Sequence, residues 1–427
     1  VFEHHHAAED HRTGVDPIQA GVLRRGAVGG LEDGGGVADV GAGGHAQTAH
    51  HGGGGIGDVV AVEVEGGQHG IVGRAGLDLL EDAVGDAVIH HHHLLPFAAA
   101  VAGASALVAP VASAAVAARR DASGNRIKLG IDNFAVRAWG WKGRELVDYA
   151  AGLKLDTLFI TDLAGLGSME TSAAAELRKY AADKGVEILL GSWSICPTSK
   201  SFKKDWGTAE EHLSLGLRLS KAVGSPAFRV VLGSRDDRRT PGGIEARIAD
   251  TVKVLKACRN QALDLGVKVS VENHAGDMTA EELITLIEGA GREFVGANMD
   301  SGNAAWTLED PLDSLEKLGP YAITTSLRDS RIWQTDKGCK VQWTAMGDGG
   351  CVDLNRYFDR YAQLCPGVAV NIETIGGFAV EFPYYQDSFW EAFPKKSAVE
   401  FARFLAVARR GQAMDQYDGG DKQRQRD

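Results

Sequence analysis

Short apolar runs and longer amphipathic stretches alternate along the chain from Lys128 onward. Short runs of β-branched and apolar residues are typical of buried strands, whereas apolar positions that recur every three to four residues indicate helices. Eight such runs follow one another: KLGIDNF (128–134), DTLFITDL (156–163), VEILLGSW (186–193), AFRVVLG (227–233), VKVSVENH (267–274), VGANMD (295–300), AITTSLRD (322–329) and VAVNIET (368–374). Strands that alternate with helices predict a parallel α/β sheet.

Helices are expected between these runs. The stretches with helical period cover residues 143–152, 171–184, 208–223, 243–265, 311–317, 354–364 and 397–408. A further helix follows the fifth run, where Thr279 is a candidate N-cap and Glu282, three residues later, completes a capping box.

Eight repeats favour a closed (β/α)8 TIM barrel. A doubly wound open sheet would usually stop earlier and would carry a glycine-rich phosphate turn after its first strand. Neither a GxGxxG nor a P-loop motif stands at that position. We therefore predict an α/β protein with a barrel over residues 125–411 and a polar tail over 412–427, with the open sheet as the second interpretation.

The first 93 residues have a different composition. They lack Lys, Ser, Asn, Tyr, Trp, Cys and Met, and they hold all of the chain's 14 histidines except His212 and His274. With few large apolar side chains, this segment cannot bury enough surface to offset the entropy of ordering its backbone. We expect residues 1–93 to be low-complexity sequence, either disordered or the product of a start site assigned too far upstream.

Residues 94–118 form an uncharged, Ala-rich run that Arg119 and Arg120 follow. The run resembles the apolar region of a secretory signal, although the basic segment that should precede it is missing. A membrane anchor is the alternative by length, but the Ala and Gly content makes the run weakly hydrophobic. We predict that segment 94–120 directs export and is removed, which leaves a periplasmic or extracellular protein without stable membrane insertion. The protein would be cytoplasmic if the segment is not a signal.

Charge and cysteine spacing narrow the function. The formal net charge of -12 offers no basic field for a phosphate backbone, so a small soluble substrate is favoured over nucleic acid. The five cysteines are dispersed and show no spacing typical of a zinc site.

Polar residues follow the predicted strands where an apolar run stops, and in a barrel the chemistry sits at these carboxyl ends. Strand five ends in Glu272-Asn273-His274, strand six in Asp300-Ser301-Gly302-Asn303, strand seven in Ser326-Leu327-Arg328-Asp329 and strand eight in Glu373. Because side chains alternate along a strand, Glu272 and His274 are expected on one face, as are Ser326 and Arg328.

Three inward carboxylates would repel one another, and a divalent cation converts that repulsion into attraction. Oxygen ligands with at most one imidazole suit Mn²⁺ or Mg²⁺. The competing interpretation is that Glu272, Asp300 and Glu373 form structural ion pairs with Arg229, Arg328 or Lys268. Acids at three different strand ends favour the metal.

These strand ends, reading E-N-H, D-x-G-N, R-D and E, resemble the xylose-isomerase-like barrel superfamily, which includes sugar phosphate isomerases and epimerases. The resemblance covers about residues 127–411 and extends to SLRDS, to the VQW-AMG-G loop at 341–349 and to the FPY...FW segment at 382–390. It implies metal ligands on strands five to eight, which fall here on Glu272, Asp300, Ser326 and Glu373. Ser326 stands where the family has histidine, and a neutral hydroxyl is a poor ligand. His274 or water would then complete the site, and metal binding would be weakened or lost.

The resemblance also implies that Glu272 and Glu373 act as paired acid and base, through an enediolate that a bound cation stabilises. The leading expectation is a metal-dependent isomerase or epimerase of a sugar, unphosphorylated because no glycine-rich phosphate nest is present. The residues expected to bind the substrate are His274, Asn303, Arg229, Arg328 and Trp343. Two alternatives stay open: a lyase or hydratase that opens oxidised (keto) glycosides, and a non-catalytic carbohydrate-binding barrel that has lost its metal.

Overall fold

A computed structural model describes residues 119–415 and 419–426 of the chain. The predicted low-complexity segment 1–93 and residues 94–118 of the predicted export signal lie outside the described residues, and both assignments stay predictions. In the part of the chain that is described, no helix is long and apolar enough to cross a membrane.

Eight parallel strands form the barrel that the alternating pattern predicted. They are β1 (Leu129–Asp132), β2 (Thr157–Ile160), β3 (Glu187–Ser194), β4 (Ala227–Val231), β5 (Lys268–Glu272), β6 (Val295–Met299), β7 (Ala322–Thr325) and β10 (Val370–Ile372), in the spatial order β10-β1-β2-β3-β4-β5-β6-β7. Leu327, just beyond β7, pairs in parallel with Ile372 and connects the two ends of the sheet. The (β/α)8 fold is therefore confirmed.

Helices surround the strands and largely match the predicted ranges. The longer ones are Gly143–Gly152, Thr171–Asp183, Ala209–Val223, Gly243–Ala257, Arg259–Leu265, Ala280–Ala290, Pro311–Leu318, Leu354–Leu364 and Ala398–Arg410, the short ones are Ser301–Ala304, Asp387–Trp390 and Lys422–Arg426, and 3-10 turns cover Asn133–Trp139, Leu163–Leu166, Arg235–Arg239, Ala305–Thr307 and Gly319–Tyr321. The capping box is present, since the Thr279 hydroxyl accepts from the Glu282 amide and the Glu282 carboxylate accepts from the Thr279 amide. The helix predicted over 243–265 is instead two helices that meet at Cys258, whose ψ of 3° is not helical.

A second sheet lies between the barrel and the last long helix. Its strands are β8 (Asp329–Thr335), β9 (Gly338–Thr344) and β11 (Ala379–Phe382), which pair antiparallel in the order β11-β9-β8. We call it the outer sheet. The segment 341–349, expected as a loop, instead begins within β9 and is a loop only beyond Thr344. The outer sheet buries apolar side chains such as Val341 and Val380 in one cluster with Phe404 of the helix Ala398–Arg410, which fixes it against the rest of the chain.

Close packing between β4 and the helix Ala209–Val223 gives a test of the core. A Cβ atom added at Gly216 would lie 2.1 Å from the ring of Phe228. We expect Gly216→Ala to lower the free energy of unfolding by about 1–3 kcal/mol, because the ring has to move in a filled core. Urea unfolding of Gly216→Ala and of the matched variant Gly152→Ala measures the effect.

Gly152 is the control because a Cβ added there meets no atom within 4 Å. Gly152→Ala is expected to leave stability unchanged or to raise it by up to about 1 kcal/mol, since alanine favours a helix more than glycine does. Equal losses in the two variants would contradict the packing argument.

Candidate functional site

Three carboxyl groups meet at the carboxyl end of the barrel. Glu272 is the last residue of β5, Asp300 follows β6 and Glu373 follows β10. Parallel strands in a barrel end on the same rim, which brings these side chains together. One oxygen atom of each lies within 4.8 Å of the others, and all three residues are buried. We call Glu272, Asp300 and Glu373 the carboxylate cluster.

Arg328 reaches into this cluster from beyond β7. Its Nε atom donates to Asp300 Oδ2 at 2.8 Å, and its Nη2 atom also donates to that oxygen and lies 2.8 Å from Glu373 Oε2. The Arg328 side chain is only 2% exposed. The guanidinium group is therefore paired with two of the three acids.

The third acid of the cluster, Glu272, is paired with a different arginine. Arg229 on β4 donates from Nε to Glu272 Oε2 at 2.7 Å, and its Nη2 atom lies 2.6 Å from the same oxygen. Arg229 Nη1 donates to the Ser192 carbonyl, which fixes the guanidinium plane. Both arginines thus form the structural ion pairs that the sequence analysis gave as the alternative to a metal site.

Two asparagines complete the hydrogen bonding of the cluster. Asn298 donates to Glu272 Oε2 at 2.7 Å. Asn303 donates to Asp300 Oδ2 at 2.8 Å and to Glu272 Oε1 at 3.3 Å, while its own Oδ1 atom accepts from Trp343 Nε1. Asn303 is therefore a positioning residue for two of the acids. Asn298, which sequence reasoning missed, lies on β6 beside Glu272. It stands inside the apolar run VGANMD and not at its end, so the strand-end pattern did not single it out.

A fourth acid, Asp132, was also missed. It ends β1 and is fully buried, and its Oδ2 atom accepts from the Ser326 hydroxyl at 3.0 Å. The signal was present, since Asp132 stands at a strand end like the three acids of the cluster. Ser326, at the position where the resemblance implies a histidine ligand, is thus engaged with Asp132.

His274 is not grouped with the carboxylate cluster. Its Nδ1 atom lies 2.7 Å from the Gly233 carbonyl oxygen, which can only accept, so Nδ1 carries the hydrogen. Burial and the charge of Arg229 lower the pKa of His274 to about 3, which keeps the ring neutral. Its Nε2 atom therefore presents a lone pair that can accept a hydrogen bond from a hydroxyl group.

Aromatic rings lie beside the polar groups. The Cζ atom of Arg328 is 4.3 Å from the ring centroid of Trp343 on β9. Trp343 also stacks on Trp306, with 4.3 Å between centroids. The Trp193 ring meets His274 edge-on at 6.3 Å. Trp343 therefore belongs to the site, but as a strand residue of the outer sheet.

Burial and the neighbouring charges shift the pKa values of the acids. Burial raises the pKa of Asp132 to about 6, it raises the pKa of Asp300, and it raises the pKa of Glu373 well above the usual range. The charge of Arg328 opposes the shift at Glu373, while the neighbouring carboxylates add to it. Three carboxyl groups are paired with two guanidinium groups, so full ionisation of the carboxylate cluster would leave one negative charge without a counter-charge.

By spacing alone, the carboxylate cluster could hold a metal ion. The arginines work against an ion at the same oxygens, because Asp300 Oδ2 and Glu373 Oε2 already face one guanidinium nitrogen. A divalent cation bound to these atoms would stand beside a fixed positive charge. With Arg328 in this position, the residues do not fit a metal ion.

Comparison with known proteins identifies a family that has a TIM-barrel fold. A family model described as xylose isomerase-like TIM barrel matches residues 135–377. A search of curated proteins finds no match.

Three solved structures illustrate the likeness of fold. A xylose isomerase domain protein from Planctomyces limnophilus is 19% identical, with 53% of this chain and 84% of that chain covered and a TM-score of 0.42. The IOLI protein, solved with a bound zinc atom, is 15% identical, with 67% and 100% covered and a TM-score of 0.46. D-psicose 3-epimerase, solved in the presence of D-fructose, is 14% identical, with 66% and 97% covered and a TM-score of 0.46.

Proposed function

The chain belongs to the xylose isomerase-like TIM barrel family, and from this premise we propose that it is a sugar isomerase or epimerase. One observation carries the proposal: Glu373 is buried at the barrel rim, and its Oε2 atom, which lies 2.8 Å from Arg328 Nη2, accepts no hydrogen bond from the described residues. A buried carboxyl group with a raised pKa and few hydrogen bonds is suited to general acid and base chemistry.

The reaction is the movement of a proton at a carbon atom next to a carbonyl group. Glu373 takes the proton, the electrons of the C–H bond form the carbon–carbon double bond of an enediolate, and the carbonyl oxygen gains the negative charge. Return of the proton to the neighbouring carbon, together with transfer of the hydroxyl proton from one oxygen of the enediolate to the other, gives isomerisation. Protonation of the original carbon on its opposite face gives epimerisation.

Glu272 is the second member of the proposed acid and base pair. Its Oε2 atom accepts from Arg229 and Asn298, whereas its Oε1 atom accepts only one long bond, from Asn303 at 3.3 Å. Oε1 is therefore the oxygen through which Glu272 would exchange a proton.

The substrate proposed for this site is a small carbohydrate. The free Nε2 atom of His274 supports hydrogen bonding to a hydroxyl group. The rings of Trp193 and Trp343 offer apolar surface of the kind that binds a sugar face.

A lyase that opens oxidised glycosides is the second candidate. Glu272 is hydrogen-bonded far more fully than Glu373, whose Oε2 atom has an ion pair with Arg328 but no hydrogen bond among the described residues. Elimination requires one base that removes the proton before a neighbouring group leaves. Epimerisation requires a base on one face of the carbon atom and an acid on the opposite face.

Proton exchange with the solvent tests these assignments. We expect candidate ketosugars, incubated with the protein in D2O, to be recovered with carbon-bound deuterium and as isomers of unchanged elemental formula, as mass spectrometry and NMR would measure. A product that has lost a substituent would support the lyase. Binding of sugar without any exchange would contradict both enzymes and leave a carbohydrate-binding barrel.

A further inference from the structure

We propose that the guanidinium group of Arg328 takes the place of a metal ion as the cation of this site and receives the carbonyl oxygen of the substrate. The proposal rests on the proposed function and deepens it. It follows from where the group lies, from what holds it there and from the atom that it leaves free.

The position of the guanidinium group is the first observation. Arg328 Nη2 faces Asp300 Oδ2 and Glu373 Oε2, two of the three oxygens that an ion in the carboxylate cluster would share. A positively charged nitrogen between two carboxylates offsets their mutual repulsion, as a cation between them would. The third acid, Glu272, has Arg229 as its own partner.

The surroundings of Arg328 fix it in this position. A Cβ atom added at Gly302 would lie 2.6 Å from Arg328 Cγ, so glycine leaves the room through which the side chain passes. The Trp343 ring lies 4.3 Å from the Cζ atom, at cation–π distance. The chain is thus shaped for an arginine that points into the cluster.

Ser326 gives an independent reason. It stands at the position where the family resemblance implies a histidine ligand, and its hydroxyl donates to Asp132 at 3.0 Å. The same strand end therefore lacks an imidazole and, two residues later, supplies a positive charge to the cluster.

One atom of the guanidinium group is left for the substrate. Arg328 Nη1 is buried and has no hydrogen-bond partner among the described residues. Glu373 Oε2 lies 2.8 Å from Nη2 of the same guanidinium group and accepts no hydrogen bond from the described residues. A carbonyl oxygen that accepts from Nη1 would place its adjacent carbon near Glu373. As Glu373 takes the proton, the charge that forms on the oxygen meets the guanidinium, and return of the proton restores Glu373, so no further reactant is needed.

A metal titration tests the replacement without any substrate. Full-length protein, stripped with EDTA, is titrated with MnCl2 and followed by electron paramagnetic resonance. We expect no stoichiometric binding by the unmodified protein and at least about tenfold tighter binding by Arg328→Met, because a competing positive charge leaves two carboxylates. Arg331→Met is the matched control, since Arg331 on β8 pairs with Asp348 at the surface, and it should behave like the unmodified protein.

Stoichiometric, tight binding of Mn²⁺ by the unmodified protein would overturn the proposal, and so would an Arg328→Met variant that binds no more tightly. If Arg328→Met does not fold, the titration of the unmodified protein still decides the question.

Activity supplies the second arm. Turnover of a sugar by the unmodified protein is expected to survive EDTA, and Arg328→Met is expected to lose about 10²–10³-fold in kcat, as for loss of one donor to a developing oxyanion. If no sugar is turned over but Arg328→Met gains Mn²⁺, the proposed function fails while Arg328 remains the cation of the site. Turnover that requires Mn²⁺ would support the proposed function and overturn the role of Arg328.

Discussion

Glu373→Gln is expected to lower kcat by about 10²–10⁴-fold, the range typical of the loss of a general base or acid. Glutamine keeps the shape of the side chain but cannot accept the proton. Because burial raises the pKa of Glu373 well above its usual range, the carboxylate is a stronger base than usual, and its ionisation costs free energy in the folded protein. The neutral amide should therefore not lower stability. Rates of proton exchange in D2O, with circular dichroism to confirm folding, measure the effect.

Glu381→Gln is the matched control for this variant. Glu381 lies on β11, eight residues further along the chain, and is paired with Lys337 at the surface. Its replacement should leave the exchange rate unchanged. Full activity in Glu373→Gln would remove Glu373 from the acid and base pair.

Arg229→Met is expected to have the largest effect on stability, a loss of about 3–5 kcal/mol in the free energy of unfolding. The side chains of Arg229 and Glu272 are 5% and 0% exposed, so the substitution leaves a buried carboxylate without its counter-charge. Urea denaturation measures the loss. The double variant Arg229→Met with Glu272→Met should recover part of it, because both charges are then removed.

An ion pair at the surface provides the comparison. Arg259 and Glu293 are 43% and 47% exposed, and Arg259→Met is expected to lose no more than about 1 kcal/mol. If Arg229→Met were as stable as Arg259→Met, the buried pair would not be holding Glu272 in place.

The barrel and the meeting of three acids could be predicted from the sequence, because both depend on local pattern. An apolar run that stops at Glu272, Asp300 or Glu373 places that side chain at a strand end, and a barrel brings all such ends to one rim. The same reasoning applies to Asp132, which ends the first strand. It was not predicted because no second acid or imidazole stands beside it in the sequence.

The outer sheet was missed although its pattern is visible. IWQT and CKVQW flank Asp336-Lys337-Gly338, a turn of the type that joins hairpin strands. A long connection after strand seven was read as a loop because a barrel repeat normally proceeds directly to its helix.

The partner of each arginine could not be predicted. Alternation along the strand places Arg328 on the inner face, but a long side chain reaches several acids from there. The choice depends on Gly302 and Trp343, which lie on other elements and come close only in the folded chain. The sequence therefore favoured metal binding, with ion pairing as the competing interpretation.

The pairing of β9 with β11 has a consequence for engineering. The amide of Trp343 donates to the carbonyl of Phe378, which belongs to the connection after strand eight. This connection therefore helps to position the Trp343 ring, which contacts Arg328. The two connections are therefore joined by main-chain pairing, although the helix Leu354–Leu364 and β10 lie between them in the chain. Transplanting either one alone from another barrel would displace the tryptophan, and a successful exchange of specificity would have to transfer both.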